Sequence, residues 1–246
     1  MIDRLRRWLA QALLAAVLVA CGRTEVPPPE PPPATQQPAP SQESADNIGA
    51  LVESGSGVGS YRYEAYAYDC EGLAVAVRPG DGELALLLPE RTISLPQVEA
   101  ASGAKYADGD TGFWGKGMNS ATLTLDGKDR SCQLDRQETP WTDARTRGAS
   151  FRGVGTEPGW HLEVHPERLV FVYQYGEKRA VLPNQGPVED SELRTRRWQT
   201  TSEEHEMDVV VEDRACTDVM SGEIYPATVH VALDGREYMG CGRPLD

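Results

Sequence analysis

Apolar and polar residues alternate with a period of two along most of the chain. Leu73, Val75 and Val77 are separated by Ala74 and Ala76, and the apolar run from Leu84 to Leu88 follows the turn residues Pro79-Gly80-Asp81-Gly82. Ala121, Leu123 and Leu125 alternate and lead into Asp126-Gly127, a pair suited to a two-residue hairpin turn. The style repeats in Trp160, Leu162 and Val164, in Leu169, Phe171 and Tyr173, and in Val229, Val231 and Leu233 before Asp234-Gly235. A period of two puts every second side chain on one face of a strand. Beyond the first twenty residues no stretch carries a helical period. Short strands between Gly and Pro turns predict an all-β chain of small antiparallel barrels or sandwiches. The segment QETPWTDARTRGAS at 137–150 is polar and does not alternate, so it is read as the boundary between two small β domains.

The first residues follow another pattern. Arg4, Arg6 and Arg7 precede an apolar stretch from Leu9 to Ala20, broken only by Gln11. The stretch is shorter than the ~20 residues a membrane span needs and has the form of a secretory signal. It ends in Leu18-Val19-Ala20-Cys21, which resembles the lipobox of bacterial lipoproteins. That resemblance implies removal of residues 1–20 and attachment of diacylglycerol and palmitate-type acyl chains at Cys21. Several acyl chains make a stable anchor. Gly22, where an inner-membrane retention signal would carry Asp, implies an outer-membrane address facing the periplasm. Residues 21–60 are Pro-rich, then Gly/Ser-rich, the composition of a tether with an extended part and a flexible part.

The cysteines agree with export. There are five: Cys21, Cys70, Cys132, Cys216 and Cys241. If Cys21 carries lipid, four remain in an oxidising compartment. Three connectivities are open and the sequence alone does not choose among them. By position Cys70 with Cys132 and Cys216 with Cys241 each bracket one β segment. No CxxC or close His–Cys pair suggests zinc. The formal charge of −14 over 246 residues argues against nucleic acid as a partner. There is no GxSxG, Walker loop or dinucleotide fingerprint. His161 and His165 share one strand face but lack a third ligand, and they are read as solvent-facing. No enzyme activity, cofactor or metal is expected.

The most informative stretch runs from Cys70 to Cys132. It contains Ala101-Ser102-Gly103-Ala104-Lys105-Tyr106 and then Phe113-Trp114-Gly115-Lys116-Gly117, followed by a strand and Asp126-Gly127. Together, between two cysteines and behind a lipobox, these motifs resemble the MliC/PliC family of membrane-bound and periplasmic inhibitors of c-type lysozyme, over about residues 61–137. The resemblance implies a small antiparallel β-barrel whose ends are joined by a disulfide. It implies that the barrel inserts Ser102 and Lys116 into the lysozyme cleft, with Gly103, Tyr106, Trp114 and Gly117 completing the binding motifs. It gives Lys105 no role. The partners expected are therefore c-type lysozyme and, through Cys21, a membrane. Residues 150–246 carry Gly155-x-Glu157-Pro158-Gly159-Trp160 and Cys216-x-Asp218-x-Met220-Ser221-Gly222. These resemble an uncharacterised β-rich domain of bacterial lipoproteins, a likeness that brings no activity. Trp160 and Tyr225 are read as core aromatics, and Asp218 and Ser221 as turn groups. The alternative function is a structural or ligand-binding envelope lipoprotein that does not inhibit.

Overall fold

The structure, a computed structural model, describes residues 63–117 and 119–245. The expected signal peptide, the lipidated Cys21 and the Pro-rich linker lie outside the described residues. The first eight strands are β1 (Tyr66–Cys70), β2 (Leu73–Pro79), β3 (Glu83–Leu87), β4 (Thr92–Val98), β5 (Ala104–Asp108), β6 (Thr111–Gly115), β7 (Ser120–Leu125) and β8 (Lys128–Leu134). They pair antiparallel in chain order and close into a barrel. Closure is made by β1 on β8, with Tyr68 opposite Leu134 and Cys70 opposite Cys132. A disulfide joins Cys70 to Cys132 at this seam.

The alternation explains the barrel's interior. Val75, Val77, Leu84, Leu86, Leu95, Tyr106, Phe113 and Leu123 all point inward and are buried. Tyr68 meets Phe113 edge-on at 5.2 Å between ring centroids. Asp126 and Gly127 both take positive φ, 51° and 71°, as a two-residue hairpin turn requires. Because each hairpin reverses direction, the loops divide between two ends. Turns 71–72, 88–91, 109–110 and 126–127 lie at one end. The loops at 80–82, 99–103 and 116–119 lie at the other, together with the start of β1 and the end of β8.

The boundary segment is not irregular. It forms helix α1 (Thr139–Thr146), which corrects the expectation that no helix follows the signal. Pro140 favours the first turn, and Trp141 and Ala144 are buried together on one side. Eight residues are about two turns, too few for a periodic pattern to stand out in sequence. Asp135 caps the approach, its Oδ1 accepting from the Gln137 and Glu138 amides at 3.0 and 2.8 Å. The helix grips the strand that opens the barrel. Asp143 Oδ1 accepts from the Glu64 and Ala65 amides at 2.7 and 3.1 Å. Thr139 Oγ1 accepts from the Ala67 amide at 3.1 Å.

The second body is a nine-stranded antiparallel sheet. Its strands are β9 (Phe151–Thr156), β10 (Gly159–Val164), β11 (Arg168–Tyr173), β12 (Lys178–Pro183), β13 (Val188–Asp190), β14 (Thr195–Thr201), β15 (Glu206–Glu212), β18 (Ala227–Leu233) and β19 (Arg236–Pro244). The spatial order is β12-β11-β10-β9-β19-β18-β15-β14-β13. The sheet curls on itself, so that Thr200 Oγ1 on β14 donates to the Pro183 carbonyl at the end of β12 at 2.7 Å. Inside the curl lie Trp160, Leu162, Phe171, Val209, Val229 and Tyr238. A Cβ on Gly155 would stand 2.2 Å from the Trp160 indole nitrogen, and one on Gly240 2.7 Å from its ring. These glycines make room for Trp160. A short pair, β16 (Cys216–Thr217) with β17 (Ile224–Tyr225), is tied to β19 by the Cys216–Cys241 disulfide. Asp218 and Ser221 hold the turn between them, Asp218 Oδ1 accepting from the Met220 and Ser221 amides at 2.7 and 3.1 Å.

One strand face departs from its reading. His165 is buried and His161 half-buried, not solvent-facing. Glu163 lies between them and is covered by Arg147 at the end of α1, so this face is an interior. Arg147 donates to both Glu163 oxygens at 2.8 Å, Arg152 bonds the same carboxylate, and the His165 ring lies 3.2 Å from it. Burial pushes the Glu163 carboxyl up, but the two guanidiniums outweigh it and hold the group at about 2. Burial holds His161 down at about 3. It also lowers His165, against the pull of Glu163.

The signs agree, so the pH dependence is defined. A histidine whose folded pKa is depressed costs stability as pH falls below its unfolded value of 6.5. A depressed carboxylate does so from 4.5 down to about 2. The urea midpoint should hold near neutrality, fall below pH 6.5 and fall faster below 4.5. Glu163→Gln should lower stability at pH 7 by about 3–5 kcal/mol, because the buried Arg152 loses the carboxylate it pairs with, while Arg147 keeps Asp143. It should also flatten the steep acid limb. An unchanged acid limb in Glu163→Gln would show that Glu163 does not set it.

Candidate functional site

The residues singled out by the two barrel motifs meet where β5 and β6 share an end. A two-residue turn at Gly109-Asp110 sets the register, Asp108 opposite Thr111, Lys105 opposite Trp114 and Ala104 opposite Gly115. Loop 99–103 and loop 116–119 therefore emerge side by side. Gly103 has φ +70°, and a Cβ there would sit 2.0 Å from the Gly115 carbonyl oxygen. Only glycine permits this approach, which brings Ser102 against the Lys116 loop. The second loop is closed by the Lys116 amide donating to the Ser120 carbonyl at 2.9 Å. Ser120 Oγ donates to the Lys116 carbonyl at 3.2 Å. Gly117, at φ +116°, makes the turn.

Phe113 points into the barrel, so its neighbour Trp114 points out and is half-buried on the outer face. The Trp114 Nε1–H donates to the Ser102 carbonyl at 2.9 Å. The Lys116 ammonium stands 4.0 Å from the centroid of the same ring, and the Lys105 ammonium 5.4 Å. The rim thus exposes the Ser102 hydroxyl and the Lys116 ammonium. Beside it runs a surface depression of about 260 Å³ whose lining includes Lys105, Ala107, Gly112, Trp114, Thr124 and Asp129.

Five of the six predicted contact residues, Ser102, Gly103, Trp114, Lys116 and Gly117, gather at this rim. Tyr106 does not. It is fully buried in the barrel core and its hydroxyl has no hydrogen-bond partner. Burial raises its phenol pKa. It supports β5 from inside the barrel and is not exposed at the rim. Lys105 was given no role by sequence, yet it shares the Trp114 ring. The signal was present in the Gly109-Asp110 turn, which fixes Lys105 as the cross-strand neighbour of Trp114.

A hydroxyl that donates and accepts, next to an ammonium with three donors, is a set of groups for holding carboxylates. Elsewhere, His205 Nδ1 lies 2.7 Å from Asp234. The nearby Ser202 hydroxyl is engaged with the His205 backbone, its Oγ accepting from the amide at 3.1 Å. These three residues do not align as a nucleophilic triad. Among the described residues no group of three or more His, Cys, Asp or Glu side chains could hold a metal.

Residues 68–131 match the model of the family described as membrane-bound lysozyme-inhibitor of c-type lysozyme. The chain is also similar to the membrane-bound lysozyme inhibitor of C-type lysozyme from Yersinia enterocolitica serotype O:8 / biotype 1B. The two are 36% identical over 80 residues, which make up 32% of this chain and 68% of that relative. No solved structure matches the chain.

The close approach at Gly103 is testable by itself. Gly103→Ala should destabilise the barrel by roughly 1–3 kcal/mol, the scale of strain at a left-handed position. Its amide shifts should concentrate at 101–104 and 114–117. Urea midpoints and amide spectra check both outcomes; a silent substitution would mean that the two loops are not in contact.

Proposed function

The chain belongs to the membrane-bound inhibitors of c-type lysozyme, and from that membership we propose that its barrel plugs the catalytic cleft of such a lysozyme through Ser102 and Lys116. One observation carries the reading: Ser102 and Lys116 converge at an exposed barrel end, both in contact with Trp114. Lysozyme cleaves its glycan with a protonated Glu acid and an ionised Asp on either side of the cleft. The Lys116 ammonium is suited to the ionised Asp. The Ser102 hydroxyl can accept from the acid and donate to the carboxylate. With the rim seated, sugar is kept out, and the inhibitor itself needs no catalytic group. The relative's printed name supports a membrane location, the lipobox supports an anchor at Cys21, and Gly22 supports the outer membrane with the inhibitor facing the periplasm.

Removing one partner of a buried, hydrogen-bonded charge pair costs about 2–5 kcal/mol. Lys116→Ala should therefore weaken inhibition of muramidase activity by roughly 30-fold or more. Ser102→Ala should lose about 5- to 10-fold, since a neutral hydroxyl contributes ~1 kcal/mol. Full inhibition by a correctly folded Ser102→Ala/Lys116→Ala variant would refute the plug.

Cys21→Ser tests the anchor separately. It should leave the protein uncleaved or move it from the membrane to the soluble periplasmic fraction. A processed variant that still sediments with membranes would place the anchor elsewhere.

A further inference from the structure

Trp114 is neither a core residue nor one of the two groups proposed to meet lysozyme. The strand alternation puts Phe113 inside, 1% exposed, and turns Trp114 outward. A large aromatic on the outside of a barrel strand needs a reason, and its contacts supply one. Its single polar atom donates to the Ser102 carbonyl at 2.9 Å. Its face carries the Lys116 ammonium at 4.0 Å. One rigid ring therefore touches both loops of the rim.

We propose that Trp114 is the positioning residue of the rim, fixing Ser102 through its indole N–H and Lys116 through its ring before any partner arrives. This rests on the reading of Ser102 and Lys116 as lysozyme contacts. The chemistry of the ring suits the task better than a carboxylate would. A cation over an indole is held by the ring quadrupole while its three N–H donors stay free. An acidic side chain would use those donors and offset the charge that the partner's carboxylate must find. Lysine is among the side chains that lose most freedom when immobilised, so ordering it in advance removes part of the cost of binding. The N–H donated to the Ser102 carbonyl does the same for the first loop, where Gly103, lacking a side chain, would otherwise have the most backbone freedom to lose. Lys105, 5.4 Å from the same ring, shares it as a second cation.

Two substitutions separate the two contacts. Trp114→Phe keeps an aromatic face and removes the N–H; Trp114→Leu removes both. In the free protein, the side-chain ε protons of Lys116 should be shifted upfield by the ring current. That shift should survive in Trp114→Phe and vanish in Trp114→Leu, and the Ser102 and Gly103 amide signals should move in both. Inhibition should weaken about fivefold in Trp114→Phe and about 30-fold in Trp114→Leu. The decisive comparison is a double-mutant cycle. Lys116→Ala should cost several-fold less in the Trp114→Leu background than in the wild type, and Ser102→Ala several-fold less in Trp114→Phe. A residue that only stabilises the fold would leave those ratios unchanged. The amide signals of β1 and β8 report whether each variant still closes its barrel. Absence of the ring-current shift at Lys116 overturns the proposal whatever the inhibition data show. Equal costs of Lys116→Ala in both backgrounds overturn it as well. If the wild type fails to inhibit lysozyme while the ring-current shift is present, the lysozyme reading fails and the ordering of the rim by Trp114 stands.

Discussion

Everything at the rim depends on the seam where β1 closes onto β8. An eight-stranded sheet left open would expose two edges, and β5 and β6 would have no fixed place relative to the chain that leads into them. Backbone pairing from Tyr68–Leu134 to Cys70–Cys132 makes the closure, and the disulfide fixes it covalently. A crosslink spanning 62 positions removes about 4 kcal/mol of unfolded-state entropy in the chain-entropy model. Helix α1 then holds the incoming side of β1, through Asp143 and Thr139, from positions more than seventy residues downstream. The barrel is secured by its own last strand and by the segment that leads to the second body.

The molecule handles charge in two opposite ways. At Glu163 a carboxylate is taken out of water and surrounded by two guanidiniums and a histidine, so that burial is offset by close pairing. At Lys116 the charge stays in water and is held by a neutral ring. The first arrangement ties the end of α1 to the curled sheet through Arg147 and Glu163. The second leaves the donors of an ordered cation available to a partner. A buried network of the first kind specifies structure, whereas an exposed cation of the second kind suits recognition.

Much of this was legible before any coordinate. Alternation at Val75/Val77, Leu123/Leu125 and Val229/Val231 placed strands where they occur, and Asp126-Gly127 and Asp234-Gly235 form the turns they suggest. Pairing the cysteines by position gave the bridges the structure contains. The misses have physical causes. Helix α1 carries only Trp141 and Ala144 on its apolar side, too little for a period. The face of His161, Glu163 and His165 looks hydrophilic because polarity in sequence does not distinguish solvent from a paired interior. Tyr106 was placed among contact residues because a motif groups residues by sequence position, whereas the pleat sends it inward and sends Lys105 out. The order of the nine-stranded sheet, with β19 beside β9, is a long-range pairing that local patterns do not encode.

Strand parity has a practical corollary. With eight antiparallel strands the chain enters and leaves the barrel at one end, and hairpin reversal puts Ser102 and Lys116 at that same end. The crowded pole therefore holds the rim, the incoming chain and α1. The opposite pole is only four short turns, among them Glu71-Gly72 and Asp126-Gly127. A fluorophore, an epitope or a surface-coupling residue placed in those turns would point away from the rim and leave it facing outward. The same addition made at the start of β1 or the end of β8 would stand beside the very groups a partner has to reach.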